Sequence, residues 1–138
     1  MFLGERGSGK TKALIGTANE KVSSTAGSMV YITFSNRPLL AIDRGIRFIS
    51  TQDYGHMDYS RFYGFLCGVL SQDYDIESVF IDDLFCIVEG NLSEAAHLFS
   101  CLENLAQKNN IEIYININCT QEGVPEYMKK YSESFVAV

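Results

Sequence analysis

No stretch of this 138-residue sequence approaches the ~20 consecutive apolar residues that a membrane-spanning helix needs. Its first residues carry no secretory-signal pattern. A soluble, cytoplasmic protein without membrane insertion is therefore expected. Cysteine is sparse: Cys67, Cys86, Cys101 and Cys119 form no C-x-x-C pair. With only His56 and His97 beside them, no zinc-ligand spacing exists. Each cysteine lies among apolar residues, so small buried thiols in a reducing compartment are expected. Positive charge is also scarce. Eleven Lys and Arg against 17 Asp and Glu leave a net charge of −6 and a pI near 4.8. That balance argues against bulk electrostatic capture of nucleic acid and leaves room only for a local basic patch. Repeats, low-complexity tracts and long linkers are missing too.

What is present is an ordinary globular composition, 46% hydrophobic and 20% charged. The length suits one domain with one core, residues 1–138. Short β-rich runs alternate with helix-period runs. Met29–Phe34, Ser78–Asp82, Ile111–Asn118 and Phe135–Val138 read as strands, and Met1–Leu3 as the stub of a first one. Such a stub must be held by its neighbours in the sheet. Ala95, Leu98, Phe99, Leu102, Leu105 and Ala106 fall on one helical face, with Asn91 and Glu94 placed to cap it. Phe62, Phe65, Leu66, Val69 and Leu70 make a second face. A third helix is expected from Thr11 to about Val22, and a fourth from near Pro125. Ser23–Ser28 and Thr51–Asp58 read as loops. Alternating strands and helices predict a parallel sheet covered on both faces.

One motif carries chemistry. Gly4-Glu5-Arg6-Gly7-Ser8-Gly9-Lys10-Thr11 matches G-x-x-x-x-G-K-[ST] at every fixed position. Glycines permit backbone angles that turn successive N–H groups inward around phosphate oxygens. The helix that follows presents its positive end to the same anion. Lys10 would reach the β- and γ-phosphates, the Thr11 hydroxyl would ligate magnesium, and Lys12 completes the nucleotide-binding stretch from Gly4.

Such a loop needs a second carboxylate to hold the metal through its water shell. Ser78-Val79-Phe80-Ile81-Asp82-Asp83 provides an apolar strand ending in paired acids. Asp82 is the metal-side residue, and Asp83 sits where a carboxylate could polarise the attacking water. The strand Ile111–Asn118 ends in Asn116 and Asn118, which alternation puts on one side. Asn118, nearer the edge where ligands bind in open sheets, is the better candidate for touching the γ-phosphate or the water. A structural role as strand-end turn residues remains open for both.

In their order, the P-loop, the Asp82-Asp83 segment and the strand ending in Asn118 resemble RecA-like and AAA-type ATPases. That resemblance implies a three-layer α/β sandwich with a mainly parallel five-stranded sheet of order 5-1-4-3-2. It also implies a strand between the two nucleotide-binding strands, for which Met29–Phe34 is the candidate. ATP and magnesium are the implied ligands, and hydrolysis coupled to conformational change or assembly the implied activity. The chain also looks somewhat like the ATPase core of twitching-motility motors, without their histidine motif.

Two other readings stay open: a small-molecule kinase using ATP, and a non-hydrolysing nucleotide sensor. The kinase would need arginines in a lid after the metal strand, yet Arg6, Arg37, Arg44, Arg47 and Arg61 all lie in the first half. Any arginine at the phosphates must come from the 37–61 segment, from a second copy or from a protein partner. If 37–47 is helical, Arg44 and Arg47 share a face. Tyr54, His56, Tyr59 and Tyr63 read as core and rim packing, and Asp73-Tyr74-Asp75 as a solvated loop. No N-K-x-D guanine-reading motif occurs, which favours ATP over GTP.

Overall fold

The computed structural model describes residues 2–4, 9–90, 95–118 and 133–134, with side chains for 9–90 and 95–117. Runs rich in β-branched and aromatic residues form the strands. These are β1 (Phe2–Gly4), β2 (Ser28–Thr33), β3 (Arg47–Ser50), β4 (Ile76–Asp82), β5 (Glu112–Asn118) and β6 (Glu133–Ser134). The helices are α1 (Lys10–Val22), α2 (Tyr59–Ser71), the single turn α3 (Leu84–Ile87) and α4 (Ala96–Asn109). Across the sheet the order is β3-β2-β4-β5-β1-β6, and every neighbouring pair is parallel. Four strands, β3, β2, β4 and β5, make the broad body. The short β1 is held between β5 and β6, as a three-residue strand must be.

Both faces of the body are covered, so β2 and β4 are buried almost throughout. Alternation divides β2 between two cores. Met29 and Tyr31 meet Leu14 and Ala18 of α1, together with Phe80, Ile42 and Ile46. Val30 and Ile32, with Val79 and Ile81, meet Phe62, Leu66 and Val69 of α2 and Leu98, Phe99, Leu102 and Leu105 of α4. Truncating one of these fully buried leucines to alanine costs about 2–5 kcal/mol.

On the α1 face a row of stacked rings crosses four strands. Phe48, Tyr31, Phe80 and Tyr114 follow one another with centroids 6.2, 6.2 and 4.7 Å apart and planes within 15°. They are direct partners in the register, Tyr31 with Phe48 and Phe80, and Phe80 with Tyr114. A slip of one residue in any of these strands would turn its ring to the wrong face, so the row pins the alignment on which the site depends.

The sheet corrects the sequence expectation in three places. Among the described residues it has six strands, not five: four of those expected, with Arg47–Ser50 and Glu133–Ser134 in addition. Pro38 lies at the start of a 3-10 turn, Arg37–Ala41, and Asp43 Oδ1 accepts from Gly45 N–H at 2.8 Å in the turn that starts β3. Arg44 and Arg47 therefore share no helical face. The strand between β1 and β4 is β5; β2, the expected candidate, lies beyond β4. In other respects the implied order stands, with β3 added outside β2 and β6 beside β1. The helix expected from Pro125, the strand Phe135–Val138 and the Asn91/Glu94 cap lie outside the described residues.

Candidate functional site

Gly4 closes β1, and Gly9 introduces α1 with φ 84°, a left-handed angle that glycine adopts without penalty. Gly9 C=O accepts from Ala13 N–H at 2.9 Å, starting the helix at once. Lys10 is its first residue and is nearly buried at 6% exposure. The hydroxyl of Thr11, one residue on, donates to Asp82 Oδ1 at 3.0 Å. Glu5, Arg6, Gly7 and Ser8 lie outside the described residues.

Asp82 ends β4 and is only 3% exposed. A carboxylate buried so far must be paired or saturated with hydrogen bonds. Asp82 has three donors: besides Thr11, Oδ1 accepts from Asn116 Nδ2 at 2.8 Å, and Oδ2 accepts from the Tyr31 phenol at 2.8 Å. Each bond to an ionised group contributes about 1.5–3 kcal/mol. Three strands and a helix thus converge on one carboxylate. Burial, reinforced by the Asp82 charge, pushes the Tyr31 phenol far above its ordinary range, so it stays a donor at any physiological pH.

Asp83 follows in a left-handed conformation, φ 55° and ψ 71°, which only asparagine and aspartate among side-chain-bearing residues adopt with any ease. Its N–H donates to Asn116 Oδ1, so one buried amide ties the two acids together. Its Oδ2 accepts from Cys86 Sγ at 3.0 Å. Cys86 is exposed, contrary to the expected buried thiol, while Cys67 and Cys101 are half-buried. Cys119 lies outside the described residues.

Above these residues opens a cleft of about 880 Å³ at the C-terminal ends of β2 and β4. Gly9, Lys10, Thr11, Lys12, Asp82 and Asp83 all line it, so these six residues of the expected site are brought together. Thr33 at the end of β2 and Arg37 in the following turn line it too. Asn118 pairs with Gly4 in the register, but its side chain lies outside those described.

Nothing in the sequence marks Tyr31, and alternation alone does not show that Asn116 reaches Asp82. Thr33 pairs with Asp82, and Tyr31 shares its face two residues earlier. Only the pairing of β2 with β4 makes that visible.

The tyrosine cluster packs as expected. His56 stacks on Phe34 at 5.3 Å, Tyr54 tilts against Phe65, and Tyr59 and Tyr63 pack on the core. The Asp73–Asp75 loop is largely exposed, Tyr74 almost completely. No helix among the described residues is long and apolar enough to cross a membrane.

No family model matches this chain, and no curated protein does. Among solved structures it is similar to the flagellar accessory protein FlaH from Methanocaldococcus jannaschii, with a TM-score of 0.54 at 16% identity. The match covers 94% of this chain and 64% of the FlaH chain, so this chain spans less than two thirds of the length of the structure it matches. At that identity the likeness shows the fold alone: an α/β architecture with a parallel sheet, compatible with a RecA-like fold.

Proposed function

We propose that this chain binds ATP with magnesium in the cleft at the ends of β2 and β4, and hydrolyses it. The observation that carries this reading is the 3.0 Å hydrogen bond from Thr11 to Asp82. It joins the first turn after the glycine loop, whose threonine the motif assigns to the metal, to the strand-end acid 71 residues away that is read as the second metal-side group. Lys10 and Lys12, with the loop from Gly4 through Glu5, Arg6, Gly7, Ser8 and Gly9, hold the phosphates in this reading.

Magnesium fits the donors present. Thr11 offers a hydroxyl oxygen and Asp82 a carboxylate, with phosphate and water oxygens to complete the shell. Among the described residues there is no cluster of three His, Cys, Asp or Glu that would form an all-protein cage. Bound there, the metal neutralises charge on the phosphate oxygens. Asp82, oriented by Tyr31 and Asn116, keeps its carboxylate fixed. Asp83 is the group to orient the attacking water, and Asn118 the residue to touch the γ-phosphate. A cytoplasmic protein working with a second copy or a protein partner completes the proposal.

One observation favours a second reading, a sensor that binds the nucleotide without turning it over: the Asp83 carboxylate is already engaged by the Cys86 thiol.

Magnesium-dependent binding and turnover of ATP and GTP by the purified chain test both. Hydrolysis of ATP that disappears in Lys10→Ala and in Asp82→Asn is the expected result. Tight binding without turnover selects the sensor. If Asp82→Asn left magnesium-dependent binding intact, the metal assignment would be wrong.

A further inference from the structure

The geometry points to Arg37 as the residue that reads the terminal phosphate of a nucleoside triphosphate, acting from within the same chain. This inference rests on the nucleotide reading above and assigns to that site its discrimination between tri- and diphosphate.

Arg37 is the one arginine among the described residues that lines the cleft, together with Lys10, Lys12, Asp82 and Asp83. These three cationic side chains outnumber the two carboxylates. Lys10 and Lys12 belong to the first turn of α1. Arg37 comes from another wall, the turn that leaves β2 next to Thr33, Phe34 and Ser35. An anion lying between α1 and that turn would meet cations from both sides. Among the described residues no carboxylate forms an ion pair with the Arg37 guanidinium. The planar guanidinium suits two phosphate oxygens at once.

The turn is built to stay in place. Pro38 is buried and fixes the backbone beside Arg37. Arg37 N–H donates to Ser35 Oγ at 3.3 Å, and Leu39 N–H to the Asn36 carbonyl at 3.1 Å. Asn19 of α1 clamps the far end, its Nδ2 donating to the Ala41 carbonyl at 2.8 Å and its Oδ1 accepting from Asp43 N–H at 2.9 Å. The wall that carries Arg37 is therefore tied to the helix that carries Lys10 and Thr11. An arginine carried on a wall fixed to the phosphate helix is placed to sense whether the outermost phosphate is present.

The test compares dissociation constants for Mg·ATP and Mg·ADP in the wild-type chain, Arg37→Ala, Arg37→Lys and Lys10→Ala, with thermal melts to confirm that each variant is folded. Losing a charge-assisted bond to the γ-phosphate should weaken Mg·ATP roughly tenfold to hundredfold in Arg37→Ala and leave Mg·ADP within about twofold. Arg37→Lys should fall between, and Lys10→Ala should weaken both nucleotides. Equal losses for ATP and ADP in Arg37→Ala, or no loss for either, would overturn the assignment while leaving nucleotide binding standing. A wild-type chain that binds neither nucleotide would overturn the nucleotide reading and this inference with it.

Discussion

Tyr31 donates its phenol hydrogen to Asp82 Oδ2 at 2.8 Å, reaching across from the neighbouring strand to a carboxylate that Thr11 and Asn116 hold on its other oxygen. The ring is fully buried, stacked between Phe48 and Phe80. One side chain thus serves both the core beneath α1 and the site above it. Tyr31→Phe keeps the stack and removes only the hydroxyl, leaving a buried carboxylate oxygen short of its donor. The unmet polar group should cost about 1–3 kcal/mol, read as a lower urea midpoint with unchanged m-value. An unchanged midpoint would mean that water replaces the phenol, and that the carboxylate is less enclosed than its burial indicates.

The same pair sets an alkaline limit. An unfolded tyrosine ionises near pH 10.0, whereas native Tyr31 holds its proton well above that because of burial and the Asp82 charge. A folded-state value raised above the unfolded one means that this contribution is intact below pH 10 and declines above it. The decline can reach about 1.4 kcal/mol per pH unit for one group, since the unfolded chain loses a proton that the native chain keeps. Unfolding free energy of wild type and Tyr31→Phe, measured from pH 8 to 11, should therefore converge as pH rises. A constant difference across that range would remove Tyr31 as the titrating group.

How far the sequence discloses the site depends on distance along the chain. Gly4 to Thr11 is contiguous, so its match was complete without any fold. Asp82 was legible because a run as apolar as Val79-Phe80-Ile81 must be buried and its first acid must stand at the strand's end. The helices were legible for the same kind of reason, since a face such as Leu98, Phe99, Leu102 and Leu105 repeats over successive turns. Tyr31 was not, because its role exists only when Thr33 is paired with Asp82, and strand pairing leaves no mark in composition. β3 is not legible because Arg47–Ser50 is too short to show a period. Asn116 is legible only as one of two asparagines on the same side, because alternation gives the side, not how deep along the strand the acids lie.

Asn116 is the joint between the two acids, donating to Asp82 and accepting from Asp83 N–H. Asn116→Asp keeps the shape and replaces the donating amide with a carboxylate facing a buried carboxylate. Like charges at that distance cannot both ionise, so the pair's upper apparent pKa must rise. A raised carboxyl value adds stability at low pH that is lost as pH climbs through it. Asn116→Asp should therefore be more destabilising than Asn116→Ala at pH 7.5, and the gap should narrow at pH 5. Chemical denaturation at the two pH values decides it, and a gap that stays constant would show that the introduced carboxylate never shares a proton with Asp82.

Asp83 decides between hydrolysis and sensing. Its left-handed backbone is held by Asn116, and its carboxylate takes a hydrogen from Cys86. Asp83→Asn preserves the size of the side chain and the tolerance for positive φ, while removing the negative charge that would polarise a water. If the chain is a hydrolase, this variant should bind Mg·ATP within about twofold of wild type and lose turnover by roughly a hundredfold or more, the scale of a missing general base. Cys86→Ala, which frees the carboxylate of its thiol partner, should leave turnover the same or raise it. Single-turnover hydrolysis, with binding measured on the same samples, separates the outcomes. Turnover that survives Asp83→Asn would move the base elsewhere in the cleft. Should Cys86→Ala alone switch on hydrolysis in a chain otherwise inert, the thiol would be the group that keeps Asp83 from its water, and the sensor reading would hold for the wild type.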